Sequence, residues 1–483
     1  MRQWTLEEKY KRIEDPEALR PLHEAQRSSP YQLSYHVQPV CGLLNDPNGF
    51  FRDARGWHLF YQWCPWGAVH GLKHWYRVFS ADLVHWRNEG LCLAPDREYD
   101  NRGVYSGSAL VKDGETFLYY AGNHRDEHWV RTPYTCLARL MPNGTAVKLD
   151  EPLFGANSMY TDHQRDPKVE YNAEKGLYYL FLGAQNLQHK GRIIVYASER
   201  PDGGWRYLGE LGVPGYEDFG EMWECPSIEH ISGVDALIFC PQRIRLPGRG
   251  DAENHCGYIL GSMNYDTLTF EPSGVFTPLD FGFDFYAAAC AANADEAVMI
   301  AWMGLPGARY PSDAEDWQGA LTLPRRLSVR GNHLLQQPVV GLTALRGAET
   351  NDRSGELPRA SELELECGGG DMALRLFCRR DGTGGVLLQY DASSGVLTAD
   401  RSAMTLRVQP EQGEMRAVSL CGGLRALRVY VDASAIEVFV NEGEAVGTLR
   451  VFPTDSERFY ALLGDATPRL WRLDAAVENC FIL

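Results

Sequence analysis

The sequence predicts an all-β protein: a five-bladed β-propeller followed by a C-terminal β-sandwich, with a short helical segment at the N-terminus. Three observations carry this reading. Five motifs recur at near-constant intervals, anchored at Asp46 (NDPNG), Ser106 (YSGSA), Asp166 (RDPKV), Glu224 (WECP) and Asp284 (DFYAA), with steps of 60, 60, 58 and 60 residues. An apolar, aromatic-rich run follows each anchor: LFYQ, LYYA, YYLF, ALIF and MIAW. Past residue 335 the repeat stops, and from 359 apolar and polar residues alternate instead. A constant period marks one supersecondary unit used repeatedly. Radial stacking of such units brings equivalent positions to a common axis.

Taken in order, residues 1–30 form the N-terminal segment, in which Glu, Lys, Arg and Leu fall at helical spacing over 5–25 and are broken by Pro16 and Pro21. Residues 31–335 carry brief runs of aromatic and branched residues separated by Gly, Asn, Asp and Pro, the pattern of strands and turns. Residues 336–358 lose the repeat and read as a linker. In 359–483, segments such as ELELECGGG, ALRLFCRR and LRVYVDASAIEVFVNEGE alternate on period two, as sheets with one buried face do. The glycines of DGTGG and VNEGE read as hairpin turns and not as phosphate cradles, since no helix start follows them.

At 483 residues and 44% hydrophobic content, the chain has material for two or three packed domains. A net charge of −17 excludes a nucleic-acid partner, because phosphate backbones require a basic face. The N-terminal stretch lacks the apolar core of an export signal, and no run approaches the length of a membrane span, so a cytoplasmic protein is expected. Its 12 cysteines stand singly within apolar runs and read as small buried hydrophobes, not as a disulfide framework. The pairs His70/His74 and His124/His128 lack the Glu of a zinc-binding helix, and no metal or other cofactor is expected.

The anchors suggest chemistry. Two carboxyl groups flanking one bond are the minimum equipment for glycoside hydrolysis: one attacks or activates water, the other protonates the departing oxygen. Alone, Asp46 in NDPNG is an Asx-turn and Asp166 beside Arg165 a surface ion pair. Glu224, between Trp223, Cys225 and Pro226, is expected in apolar surroundings suited to proton donation. Convergence of the repeat turns these three into a site. Sugars bind through flat C–H faces laid on aromatic rings, and Trp75 and Trp302 lie close enough to the motifs to offer such a platform.

With these residues in view, the chain resembles glycoside hydrolase family 32, the β-fructofuranosidases. The likeness runs through GLLNDPNG, HLFYQ, SADLVHW, LAPDREYD, YSGSA, RDPKV, MWECP, DFYAA, LTLPRRL and DASAIEVFVNEGE. It implies a propeller with an appended sandwich, Asp46 as nucleophile, Glu224 as acid/base, and Asp166 as stabiliser of an oxocarbenium-like transition state. Leu44, Asn45, Gln62, Trp75, Tyr105, Ser106, Arg165, Asp284 and Trp302 would then contact substrate. The chain departs from the family pattern at His70, at Tyr76–Arg77 and at Cys290, which bears on leaving-group preference.

The expected activity is retaining hydrolysis of the fructosyl bond of sucrose, sucrose 6-phosphate or a short fructan, with fructosyl transfer or noncatalytic sugar binding as alternatives. A phosphate on the substrate would call for Arg or Lys near the pocket, and Lys73, Arg77, Arg243 and Arg245 are the candidates.

Overall fold

The computed structural model describes residues 3–483; Met1 and Arg2 of the N-terminal segment lie outside them. The protein is all-β, with a propeller-like arrangement of sheets followed by a barrel-like β-sandwich. Five sheets precede residue 339. Their first strands are Gly42–Asp53, Val104–Lys112, Tyr160–Asn172, Met222–Ile231 and Tyr286–Cys290. Each pairs antiparallel with the strand that follows it, and those second strands contain the aromatic-rich runs.

The five first strands pack against one another in sequence order, and the fifth returns to the first. Backbone bonds close this seam, from Arg52 N to the Ala292 carbonyl and from Ala292 N to the Phe50 carbonyl, both about 3 Å. A narrow channel inside the ring is lined by residues of all five strands, including Gly49, Gly107, Pro167, Pro226 and Ala288. The first sheet also gains two parallel edge strands from distant sequence, Trp317–Gln318 and Val477–Glu478.

The sandwich is organised by one long strand, Ala360–Cys378. Its first half pairs with Ala426–Asp432 and its second half with Gly385–Asp391, while its other edge follows Phe459–Leu473 throughout. The register breaks between Cys367 and Met372, at the glycine run. Gly369 has φ +94°, and a Cβ on Gly368 would lie 2.5 Å from the Asp465 carboxylate, so only glycine turns the strand there.

The two parts meet through buried charge. The segment just before the fifth first strand docks on the sandwich by Phe281 N to the Val446 carbonyl and Phe283 N to the Thr448 carbonyl. Around it, Arg325 pairs with Asp280 and Glu437, and His36 bridges Asp432 and Glu437. At the N-terminus, Leu6–Lys9 and Arg20–Arg27 are helical. That segment grips the loop bearing His70, through Leu72 N to the Lys9 carbonyl and Trp66 Nε1 to the Lys11 carbonyl.

Candidate active site

In every one of the five first strands the pairing slips at the same point, just after Leu44, Val104, Arg165, Glu224 and Tyr286. A bulge leaves residues off the ladder and re-aims their side chains. The residues freed are Asn45–Asp46, Tyr105–Ser106, Asp166–Pro167, Cys225–Pro226 and Ala287–Ala288. Proline, which has no N–H to donate, is tolerated at such breaks. Asp166, Cys225 and Ala287 adopt positive φ, at 64°, 48° and 51°. Such backbone costs roughly 1–2 kcal/mol per non-glycine residue, so neighbouring pairing must hold it. Register therefore aligns Tyr286 with Glu224, each the last paired residue before its bulge, whereas Asp46, Ser106 and Asp166 lie within theirs and Asp284 lies ahead of the fifth strand.

The first three bulges open on one pocket of about 250 Å³, whose wall includes Asn45, Asp46, Gln62, Tyr105, Ser106, Arg165, Asp166, Glu224 and Trp302, while the residues freed by the last two line the channel beneath. Asp46 sits in a closed ring of donors. Its Oδ1 accepts from Asn45 Nδ2 at 2.9 Å and its Oδ2 from Ser106 Oγ at 2.5 Å. Gln62 donates to Ser106 and accepts from Asn45, and Lys73 Nζ donates to Asn45 Oδ1 at 2.6 Å. Burial raises the Asp46 carboxyl above its ordinary range, against the pull of Ser106, Lys73 and Asn45.

Asp166 is more strongly affected. Burial pushes it up to about 7; Arg165 opposes this, and the Glu224 and Asp46 carboxylates add to it. Its Oδ2 accepts from the Cys225 backbone N–H at 3.0 Å and from the Cys225 thiol at 3.7 Å. Glu224 is met by four donor contacts. Its Oε1 accepts from Arg165 Nε and Nη2 at 3.0 and 2.8 Å, and its Oε2 from Gln242 Nε2 and Tyr286 Oη at 2.5 and 2.6 Å. The apolar setting expected for Glu224 is thus corrected: its sequence neighbours are apolar, but the spatial ones are not.

Three other expectations fail on position. Leu44 is fully buried in the core behind the pocket. Trp75 is equally buried, packed on Phe60 and Tyr120, with its Nε1 bonded to the Tyr105 carbonyl, so it supports the wall and offers no sugar platform. Asp284 is fully buried outside the pocket, held by Tyr310 Oη, Arg401 Nη1 and Arg450 N in the docking segment.

The departures from the family pattern also separate. His70 stands at the pocket, its ring edge-on to Trp302 at 6.1 Å. Tyr76 bonds the Ile482 carbonyl and Arg77 bonds His58, both buried away from the pocket, while Cys290 lines the channel beneath. Arg243 and Arg245 pair with Glu253 and Asp251 at the surface. Residues that the sequence did not flag are Tyr286, Gln242, His163 and Arg131. Tyr286 was within reach, since it stands inside DFYAA.

Comparison with known proteins agrees with this geometry. Residues 36–338 match the glycosyl hydrolases family 32 N-terminal domain, and residues 337–467 match the family's C-terminal domain. The chain belongs to glycosyl hydrolase family 32. A sucrose-6-phosphate hydrolase of Staphylococcus xylosus is 36% identical over 94% of each chain, and one of Lactococcus lactis 36% identical over 97% of this chain and 99% of that one. Among solved structures, the sucrose-6-phosphate hydrolase of Lactobacillus gasseri superposes with a TM-score of 0.92 at 34% identity, covering 98% of this chain and all of that one. The family 32 β-fructofuranosidase of Bombyx mori superposes at 0.84 with 26% identity, covering 96% and 98%.

Proposed function

We propose that this family 32 chain is a retaining β-fructofuranosidase that hydrolyses sucrose 6-phosphate and sucrose through a fructosyl-enzyme ester. The observation that carries the reading is the meeting of Asp46, Asp166 and Glu224 in one pocket. Relatives named sucrose-6-phosphate hydrolase, and a Bombyx mori mutant solved in complex with sucrose, supply the substrate class.

In this reading, protonated Glu224 delivers its proton to the bridging oxygen while an Asp46 oxygen attacks the anomeric carbon of fructose and the glycosidic bond breaks. Glu224, now a carboxylate, takes a proton from water; the water oxygen attacks the same carbon, and the ester bond to Asp46 breaks. Asp166 faces the positive charge that develops in both steps. The partners of Glu224 fit its two states. Arg165 and Gln242 only donate through the nitrogens used here, whereas the Tyr286 hydroxyl can donate to the carboxylate or accept from the acid. The donor ring around Asp46 fixes the attacking oxygen.

The same reading takes the five sheets as five blades of one propeller, supported by the closed contact ring and the shared bulge. It takes 31–335 as the catalytic unit, 336–358 as linker and 359–483 as the sandwich. A cytoplasmic site of action goes with it, since uptake by phosphotransfer releases sugar phosphates inside the cell. The test is kcat/KM for sucrose and sucrose 6-phosphate in wild type and Glu224→Ala. Loss of about 10²–10⁴ in the variant is expected; comparable rates in both proteins would remove the proposal.

A further inference from the structure

Three arginines, of which Arg131 lines the pocket and Arg125 and Arg102 stand behind it, gather with no carboxylate paired to them. Arg131 lines the pocket, its guanidinium 5.6 Å from the Tyr105 ring. Arg125 faces it directly across the end of a hairpin. At the hairpin tip, Trp129 takes the guanidinium groups of Arg125 and Arg102 against its ring, at 5.3 and 5.1 Å. On the far side Tyr10 meets Trp129 edge-on at 5.1 Å, so the N-terminal segment closes the cluster.

All three arginines are half-buried, and the Nε of each is buried without a hydrogen-bond partner. Among the described residues none of the three forms an ion pair. The acid that acts on Arg131 is exposed Asp162, without direct contact, while Arg165 and Arg125 repel it. Elsewhere, buried Arg325, Arg401 and Arg165 hold carboxylates, and buried Arg77, Arg416 and Arg450 donate to carbonyls, a ring nitrogen or a hydroxyl; among the described residues the Arg131 and Arg102 guanidinium groups do neither. The protein has 64 acidic residues against 47 Lys and Arg, so anionic partners are not scarce.

Burying a cation without a partner costs free energy, several kcal/mol for an ion fully removed from water. A fold that leaves Arg131 and Arg102 in this state, with the Arg125 guanidinium bonded among the described residues only to the Trp129 carbonyl, holds a place for an anion from outside. The guanidinium fork matches phosphate oxygens two at a time, which an ammonium such as Lys73 does not. Lys73 is in any case committed to Asn45 and His70.

We propose that Arg131, backed by Arg125 and Arg102, forms a subsite for a phosphate monoester carried on the leaving-group sugar. The proposal rests on the β-fructofuranosidase reading and assigns the residues that select the phosphorylated substrate. The experiment compares kcat/KM for sucrose 6-phosphate and sucrose in the full chain for wild type, Arg131→Gln, Arg125→Gln and Arg131→Lys. Competitive inhibition by glucose 6-phosphate and by glucose is measured alongside.

The expected result is a wild-type preference for the phosphorylated sugar that falls at least tenfold in Arg131→Gln, mainly through KM. The fall is smaller in Arg125→Gln, and Arg131→Lys keeps part of the preference. Stronger inhibition by glucose 6-phosphate than by glucose disappears in parallel, and rising salt erodes it in wild type. If both sugars are hydrolysed but the preference is absent, or survives in both glutamine variants, the subsite is wrong and the fructosidase reading stands. If wild type hydrolyses neither sugar, the reading beneath the subsite fails. Should Arg131→Gln not fold, Arg125→Gln and the paired inhibitors decide the matter.

Discussion

At the scale of single residues, the three carboxyls differ through their partners. Asp46 has fixed neutral donors and Glu224 has a paired guanidinium, while Asp166 has the backbone N–H and thiol of Cys225 and two like charges nearby. Asp166 must be ionised to face a developing cation, and it is held at about 7. We therefore expect kcat/KM to fall as pH drops through about 7, about tenfold per unit well below it. A pH profile that stays flat down to pH 5 would contradict this. Asp284 gives the opposite kind of prediction. Its carboxylate is enclosed by Arg401 and Tyr310, and breaking a buried pair costs about 3–5 kcal/mol. Asp284→Ala is expected to lower Tm sharply while the folded fraction keeps its KM for sucrose within about twofold. A selective rise in KM at unchanged Tm would return Asp284 to the sugar site.

At the scale of elements, the repeated bulge is what delivers the site. The sequence showed the period and the prolines, but register is a relation between two strands and is not written in either one. That is why Asp46, Ser106, Asp166 and Glu224 are legible as polar residues on a period, while Tyr286, the register counterpart of Glu224, is passed over for Asp284. Leu44 and Trp75 were misplaced for a related reason. Alternation sends neighbours along a strand to opposite faces, and a bulge shifts which face a residue takes. Close strand contact also explains the glycine of YSGSA. A Cβ on Gly107 would lie 1.9 Å from the Tyr119 carbonyl oxygen, backbone that cannot yield cheaply. Gly107→Ala is expected to displace Ser106 and with it Asp46, lowering kcat by about 10²-fold and reducing stability. Steady-state kinetics and thermal melts on the variant check both.

At the scale of the whole molecule, the propeller-like part and the sandwich are joined by a buried ionic network, not by apolar packing alone. The two patterns of alternation were readable before the structure, as was the change between them. The network was not, because His36, Asp280, Arg325, Asp432 and Glu437 are scattered over some 400 residues, and the motifs that hold Arg325, Asp432 and Glu437 do not show that these side chains meet. It sets a pH limit on stability. Burial pulls the His36 imidazole down, but bonds to Asp432 and Glu437 outweigh it and hold it at about 9. The folded value lies above the ordinary one of about 6.5. The stabilisation is therefore complete below about 6.5 and is lost as pH rises through about 9. Unfolding free energy is expected to decline between pH 7 and 9.5 in wild type, with His36→Gln less stable at pH 7 and flatter across that range. Parallel declines in the two proteins would show that His36 stays neutral.

The central claim is that Asp46 attacks the sugar and Glu224 moves the proton. The most direct measurement is peptide mapping of Glu224→Ala after reaction with β-fructofuranosyl fluoride, whose leaving group needs no proton. Without Glu224 to activate water, the account predicts a fructosyl ester that accumulates on Asp46. Fluoride release with the ester on Asp166, or with no ester on Asp46, would contradict it.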